Sequence, residues 1–186
     1  MGIFLRSVIC FSLSLGLGLP VSAAHLPAAD RPQNSLMLGS APSLGASLQL
    51  SRRLELGLSG AAPFFFGEDF GNPRYSLYAQ YQLLNQNGFY MGIIGGVYGD
   101  LNIRGSTQSY SPAYLQFGAA LAYDLNRQLT LRLNIVPGIS LFIPPQGWLF
   151  LPPVGGVALA WRPQPWLEAS LGVNGNGDIL GLRYLF

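Results

Sequence analysis

The sequence predicts an all-β fold, a closed antiparallel up-and-down barrel of about ten strands, with eight as the fallback count because closure requires an even number. Three observations lead there. From residue 35 onward, apolar side chains recur at alternate positions in one segment after another. No stretch beyond residue 24 has the periodicity of an amphipathic helix. The connections alternate between tight turns and long loops, as in a chain running up and down a barrel wall.

Length and composition narrow the class. The 186 residues show no break in composition, so one domain is expected. Apolar residues make up 49% and charged residues only 10%, too little charge for an ordinary water-facing surface. The one long apolar run, residues 8–21, follows Arg6 and precedes Ser22-Ala23-Ala24. That is the layout of a secretory signal, so residues 1–24 are assigned to a cleaved signal peptide and left out of the fold. No later run of roughly 18 apolar residues could span a bilayer as a helix. Cys10 falls within the signal, so disulfides are not expected, and Ile9 before it is the wrong residue for a lipoprotein site. The 10 basic residues are all arginine, stand against 8 acidic ones and form no basic run, which argues against nucleic acid as a partner.

The strands follow in order. Residues 25–34 are polar and interrupted by proline, and read as a short periplasmic N-terminal segment; the barrel is assigned to 35–186. Residues 35–39 form a short strand that ends at Pro42, and 43–51 alternate through Leu44, Ala46, Leu48 and Leu50. After the Arg52-Arg53 turn, Leu54, Leu56 and Leu58 alternate with Glu55, Gly57 and Ser59. A long connection, 62–73, leads to the strand at 74–84. The turn at 85–88 contains Asn87-Gly88, a strong hairpin signal. Residues 89–98 form a glycine-rich strand, 99–112 a polar loop and 113–123 another alternating strand. In 128–139 Pro137 weakens the far end, since proline cannot donate to a ladder. An apolar, proline-rich loop covers 140–152, followed by strands at 153–162, 166–173 and 178–186 with Pro163-Gln164-Pro165 as a tight turn.

Which face of the barrel is apolar decides its solvent. The alternating apolar face carries no Arg, Asp or Glu in any assigned strand, and an arginine there at mid-bilayer would cost on the order of 2 to 4 kcal/mol. The opposite face combines Gly, Ala, Ser and Gln with a few charges, which suits a crowded lumen. The apolar face is therefore read as lipid-exposed, and the barrel as transmembrane. Counting back from Phe186, the outward aromatics Tyr81, Phe89, Tyr123, Trp161, Tyr184 and Phe186 all fall at the tight-turn end, as an interfacial girdle should.

The last nine residues, 178–186, put Leu180, Leu182, Tyr184 and Phe186 on one face and Gly181 and Arg183 on the other. This resembles the terminal signature of Gram-negative outer-membrane β-barrels. The mature chain as a whole resembles small barrels of the OmpA, OmpX or OmpW kind. The resemblance implies an outer-membrane location, contact with outer-membrane lipid, and passage through the periplasm with chaperones and the barrel-assembly machinery as partners. It also makes the four alternating residues the assembly signal.

Several candidate sites emerge. Glu55, Arg132, Glu168 and Arg183 all point inward near the tight-turn end, as an ionic plug of the lumen or as a network that neutralises unavoidable buried charge. Phe64, Phe65 and Phe66, with Phe142, Trp148 and Phe150, make apolar external loops that could hold a hydrophobic ligand or a surface partner, or rest at the membrane interface. His25, the only histidine, stands in a proline-rich segment without a catalytic or metal-binding companion. The glycines at 92–99 lie in a strand with no following lysine or helix, so they make room in a narrow barrel instead of cradling a phosphate. No cofactor and no catalytic or metal residue is expected. The expected function is a non-enzymatic outer-membrane barrel with a side-chain-filled lumen, structural or acting through its external loops. The alternative is a narrow channel or carrier for small or hydrophobic solutes. An enzyme built on Glu68, Asp69 or Asp100 ranks third.

Overall fold

The computed structural model describes residues 26–62, 73–100, 113–141, 152–176 and 178–186. Residues 1–24, His25, Glu68, Asp69 and the loop residues Phe64, Phe65, Phe66, Phe142, Trp148 and Phe150 lie outside the described residues. The described chain is a closed antiparallel barrel of ten strands without helices.

Its strands are β1 Ser35–Gly39, β2 Ser43–Gln49, β3 Leu54–Ala61, β4 Arg74–Gln86, β5 Phe89–Asp100, β6 Tyr114–Asp124, β7 Leu129–Ile135, β8 Gly138–Ser140, β9 Gly156–Gln164, β10 Leu167–Asn174 and β11 Leu180–Leu185. Consecutive strands pair around the wall, and β1 closes on β11 in a register running from Ser35↔Leu185 to Gly39↔Gly181. The short strand at 35–39 is thus the one that completes the even count. β7 and β8 form a single staggered wall element, since both pair with β6 and only β7 pairs with β9. Pro137 sits at the interruption, where its missing N–H does least harm to the ladder.

The turns obey their local chemistry. Asn87 (φ 51°) and Gly88 (φ 77°) both take the left-handed conformation required by a two-residue hairpin. The strands run up to this pair, so the turn is shorter than the expected 85–88. Near Pro163 the strand also runs further than expected: β9 continues to Gln164 and the chain reverses at Pro165-Trp166. Pro163 is accommodated because the ladder is irregular there, stepping from Leu167↔Gln164 to Ala169↔Trp161.

Alternation sorts the side chains by polarity in the reverse of a water-soluble barrel. Outward positions carry exposed Leu36, Leu44, Leu58, Leu77, Ile135 and Leu171, among many others, and no Arg, Asp or Glu points outward from a described strand. Inward positions carry buried Glu55, Gln80, Gln116, Arg132, Glu168 and Arg183. The outward aromatics named above are all exposed at the tight-turn end, where Tyr184 lies 6.1 Å from both the Trp166 and the Phe186 ring.

The inner radius is small enough that large inward residues need glycine opposite them. A Cβ at Gly57 would lie 2.1 Å from Tyr78 Cζ, and one at Gly138 would lie 2.4 Å from Tyr98 Oη. Each tyrosine lies across the backbone of a glycine. The outward Gly60 differs, since a Cβ there would meet only the Arg74 carbonyl oxygen at 3.7 Å. Gly57→Ala should therefore cost about 1 to 3 kcal/mol through overpacking against Tyr78, while Gly60→Ala should leave stability unchanged. Urea unfolding of the two variants in detergent micelles measures the contrast.

Candidate functional site in the lumen

The segment preceding β1 does not lie outside the barrel as the sequence suggested. Residues 26–30 are all buried, and they rise into the lumen from the tight-turn mouth. Asn34 at the mouth accepts a hydrogen bond from the Phe186 N–H at 3.1 Å, and further in Asp30 meets Arg132. Beyond that, the Pro27 carbonyl accepts from Asn134 Nδ2 at 3.5 Å and Leu26 packs on Ala158. The misreading has a physical origin. Proline and mixed polarity destroy any period in 25–34, so the segment reads as a tail, yet Leu26, Ala28 and Ala29 are small or apolar enough to fill a narrow interior.

Lumen side chains, not a β-ladder, hold this segment. Gln82 Nε2 donates to the Ala29 carbonyl at 2.6 Å, Ser47 Oγ to the Gln33 carbonyl at 2.8 Å, and the Gln33 N–H donates to Glu55 Oε2 at 3.2 Å. Ala29 then joins Tyr78, Ile94, Ala120, Ala122, Val136 and Val154 in an apolar layer above the charges. Higher still, Tyr98 and Tyr114 stack with ring centroids 4.7 Å apart.

The four inward charges singled out from the sequence form two pairs. Arg132, on β7, donates to both oxygens of Glu168, on β10, at 2.6 and 2.9 Å. Its Nε and Nη2 also donate to Asp30, at 2.8 and 3.1 Å, so the guanidinium is forked between two carboxylates. Arg183, on β11, lies 3.3 Å from Glu55 on β3 and donates to Ser35 Oγ at 2.8 Å and Ser47 Oγ at 3.2 Å. Since Ser47 donates to Gln33, the 2.8 Å contact between Ser35 and Ser47 has Ser35 as its donor. Tyr78 Oη completes the second group by donating to Glu55 Oε1 at 3.1 Å. Although Glu168 and Arg183 face each other in the β10–β11 register, they bind different partners.

Three members of these groups were not among the sequence candidates. Asp30 was assigned to a tail, Tyr78 lay within the strand expected at 74–84 without a role, and Arg162 stood at the end of its predicted strand. Arg162 Nη2 bonds to Glu168 and lies 3.7 Å from Asp30 Oδ2. The parity of β9 was the available signal, because Ala158 and Ala160 point inward and Arg162 follows them.

A further buried carboxylate ties the opposite end. Asp178 accepts from the Ala41 N–H at 2.8 Å, from Ser43 Oγ at 3.0 and 3.1 Å, and from Asn174 Nδ2 at 2.9 Å, joining the β1–β2 turn to the β10–β11 connection. Burial pushes its carboxyl above the ordinary range, against the hydrogen bonds from Ala41, Asn174 and Ser43, which draw it down. Among the described residues, no group of three or more His, Cys, Asp or Glu side chains could hold a metal ion. At the tight-turn end Asp30, Glu55 and Glu168 are each engaged by arginine, so the charges there are mutually neutralised. Compared with known proteins, the chain matches no family profile and no curated sequence.

Removing Arg132 would leave Arg162 alone against Asp30 and Glu168, with one buried carboxylate uncompensated. Arg132→Met should therefore lower stability by about 3 to 5 kcal/mol. Adding Asp30→Asn should restore more than half of that loss, because Arg162 then stands against Glu168 alone and the buried charge balances again. Equilibrium unfolding of the single and double variants in micelles tests both statements.

Proposed function

We propose that this chain is an integral outer-membrane β-barrel, exported through a cleaved signal peptide, that performs no catalysis and acts structurally or through its external loops. In this reading the lumen is shut by the chain's own residues 26–34. The observation that carries it is the polarity of the wall: a charge-free apolar exterior around an interior that buries arginines and carboxylates. Such a wall suits lipid outside, since apolar surface of this extent would be unfavourable in water. The aromatic girdle at one end supports the same orientation, with the tight turns toward the periplasm. Likeness to barrels of the OmpA, OmpX or OmpW kind, and dealings with periplasmic chaperones and the assembly machinery through Leu180, Leu182, Tyr184 and Phe186, belong to this proposal.

A second reading, a narrow channel or carrier, draws on the interior carboxamides. Both polar atoms of the Gln80 side chain, Gln116 Oε1 and Asn134 Oδ1 are buried without a protein hydrogen-bond partner among the described residues. Groups of that kind suit a hydrated path.

Outer-membrane fractions run on SDS gels with and without boiling test the first reading. The intact chain should shift in mobility, and a chain lacking Phe186 should show the shift weakly or not at all; a soluble periplasmic protein with no shift would overturn the membrane assignment. In planar bilayers the intact barrel should give no conductance steps. Steady steps from the intact chain would favour the channel, and steps only after deletion of residues 25–34 would identify that segment as the closure.

A further inference from the structure

The outer wall is not evenly covered by large side chains. Across β1, β2, β3 and β11 a groove of about 650 Å³ opens outward, lined by Leu36, Leu44, Ala46, Leu58, Gly60 and Leu182. Its floor is low because Ala46 and Gly60 occupy outward positions where neighbouring rows carry leucine. Nothing in the barrel demands glycine at position 60. Its φ is not in the left-handed region, and the space a side chain would need is open, with the Arg74 carbonyl the only atom within 4 Å of an added Cβ. The notch is therefore open to whatever lies against the wall from outside.

The charge below the groove points to the occupant. β2 and β3 are joined at the tight-turn end through Arg52 and Arg53, both exposed, whose guanidinium groups form no ion pair or hydrogen bond among the described residues. Arg31 and Arg127 are exposed at the same end, while the nearby Asp124 is engaged by Tyr90 and Thr130. That rim is thus positive, with its acid already committed.

The spacing joins the two features. Gly60 stands six positions beyond Leu54, where β3 begins after the arginine turn, or ~20 Å of strand. At a tilt of ~40° this is ~15 Å of depth, one leaflet of a ~30 Å hydrocarbon core. A molecule with an anionic head at Arg52 and Arg53 and an apolar chain one leaflet long would reach the notch with its tail.

We infer that the groove and the arginine pair form one binding site for an anionic phospholipid of the leaflet at the tight-turn end. Its phosphate sits on Arg52 and Arg53, and one acyl chain ends between Ala46 and Gly60. The site rests on the reading of the barrel as a membrane protein. Arginine supplies the fork that matches phosphate oxygens, and two cations near a lipid surface favour an anionic over a zwitterionic headgroup. The notch adds what charge alone lacks, a fixed place for the chain.

Native mass spectrometry of the barrel released from vesicles of phosphatidylglycerol mixed with phosphatidylcholine reads the site directly. The intact chain should retain one phosphatidylglycerol where phosphatidylcholine is stripped. Arg52→Gln with Arg53→Gln should weaken phosphatidylglycerol retention by about thirtyfold, to the level of phosphatidylcholine. Ala46→Leu with Gly60→Leu should reduce retention of either lipid. Undiminished retention by either double variant would overturn the site, as would a mass equal to two chains, which would make a second copy the occupant of the groove. Heat-modifiable mobility of the same vesicle preparations separates the two levels of failure. A barrel that inserts and retains no phosphatidylglycerol removes only the lipid site, and a chain that does not insert removes the membrane reading as well.

Discussion

Charge cannot be left unpaired inside a barrel this narrow, and that constraint shapes most of the interior. The groups at the tight-turn mouth set Asp30, Glu55 and Glu168 against Arg132, Arg162 and Arg183, three carboxylates to three guanidinium groups. Four of the six come from strands whose parity also places leucines on the outside. The fifth, Arg162, lies at the inward edge of the same pattern. The sixth, Asp30, comes from no strand at all, and it lets the balance close at a site where the desolvation of an extra guanidinium would be severe.

The same constraint explains why an irregular segment occupies the lumen. Inward donors such as Gln82 Nε2 and Ser47 Oγ need acceptors, and the carbonyls of the wall strands are already used in the ladders. The carbonyls of Pro27, Ala29 and Gln33 meet that need. A regular strand or helix would bring its peptide groups already bonded, whereas an irregular, proline-containing stretch leaves carbonyls free to accept. The sequence feature that made residues 25–34 look like a tail is thus what fits them to be a lining.

Much of the fold was legible because period two is a strong signal when one face is kept free of charge. Leu44 through Leu50, Leu54 through Leu58 and Leu180 through Phe186 announce both strand and facing, and Asn87-Gly88 announces its turn. Legibility failed where a local rule met a tertiary exception. Pro163 reads as a break, but an irregular step in the β9–β10 ladder absorbs it. Arg132 with Glu168 and Arg183 with Glu55 could be placed on one level, but not which acid takes which base, since cross-strand register alone would have joined Glu168 to Arg183. Asp30 and Tyr78 were hidden for different reasons: one sits in a segment without periodicity, the other in a strand whose tyrosines point both ways.

The seam between β1 and β11 joins residues far apart in the chain, as in the Arg183 to Ser35 hydrogen bond across 148 positions. Contacts of such separation form late, because the loop they close is long. Here the closing strand β1 is the direct continuation of the segment that fills the lumen, and the Asn34 carbonyl is bonded to the last residue of the chain. Closing the wall and filling it are consequently tasks of one contiguous stretch, residues 26–39. In a polypeptide arranged this way the cylinder and its stopper stand or fall together, because one stretch of chain supplies both the closing stave and the plug.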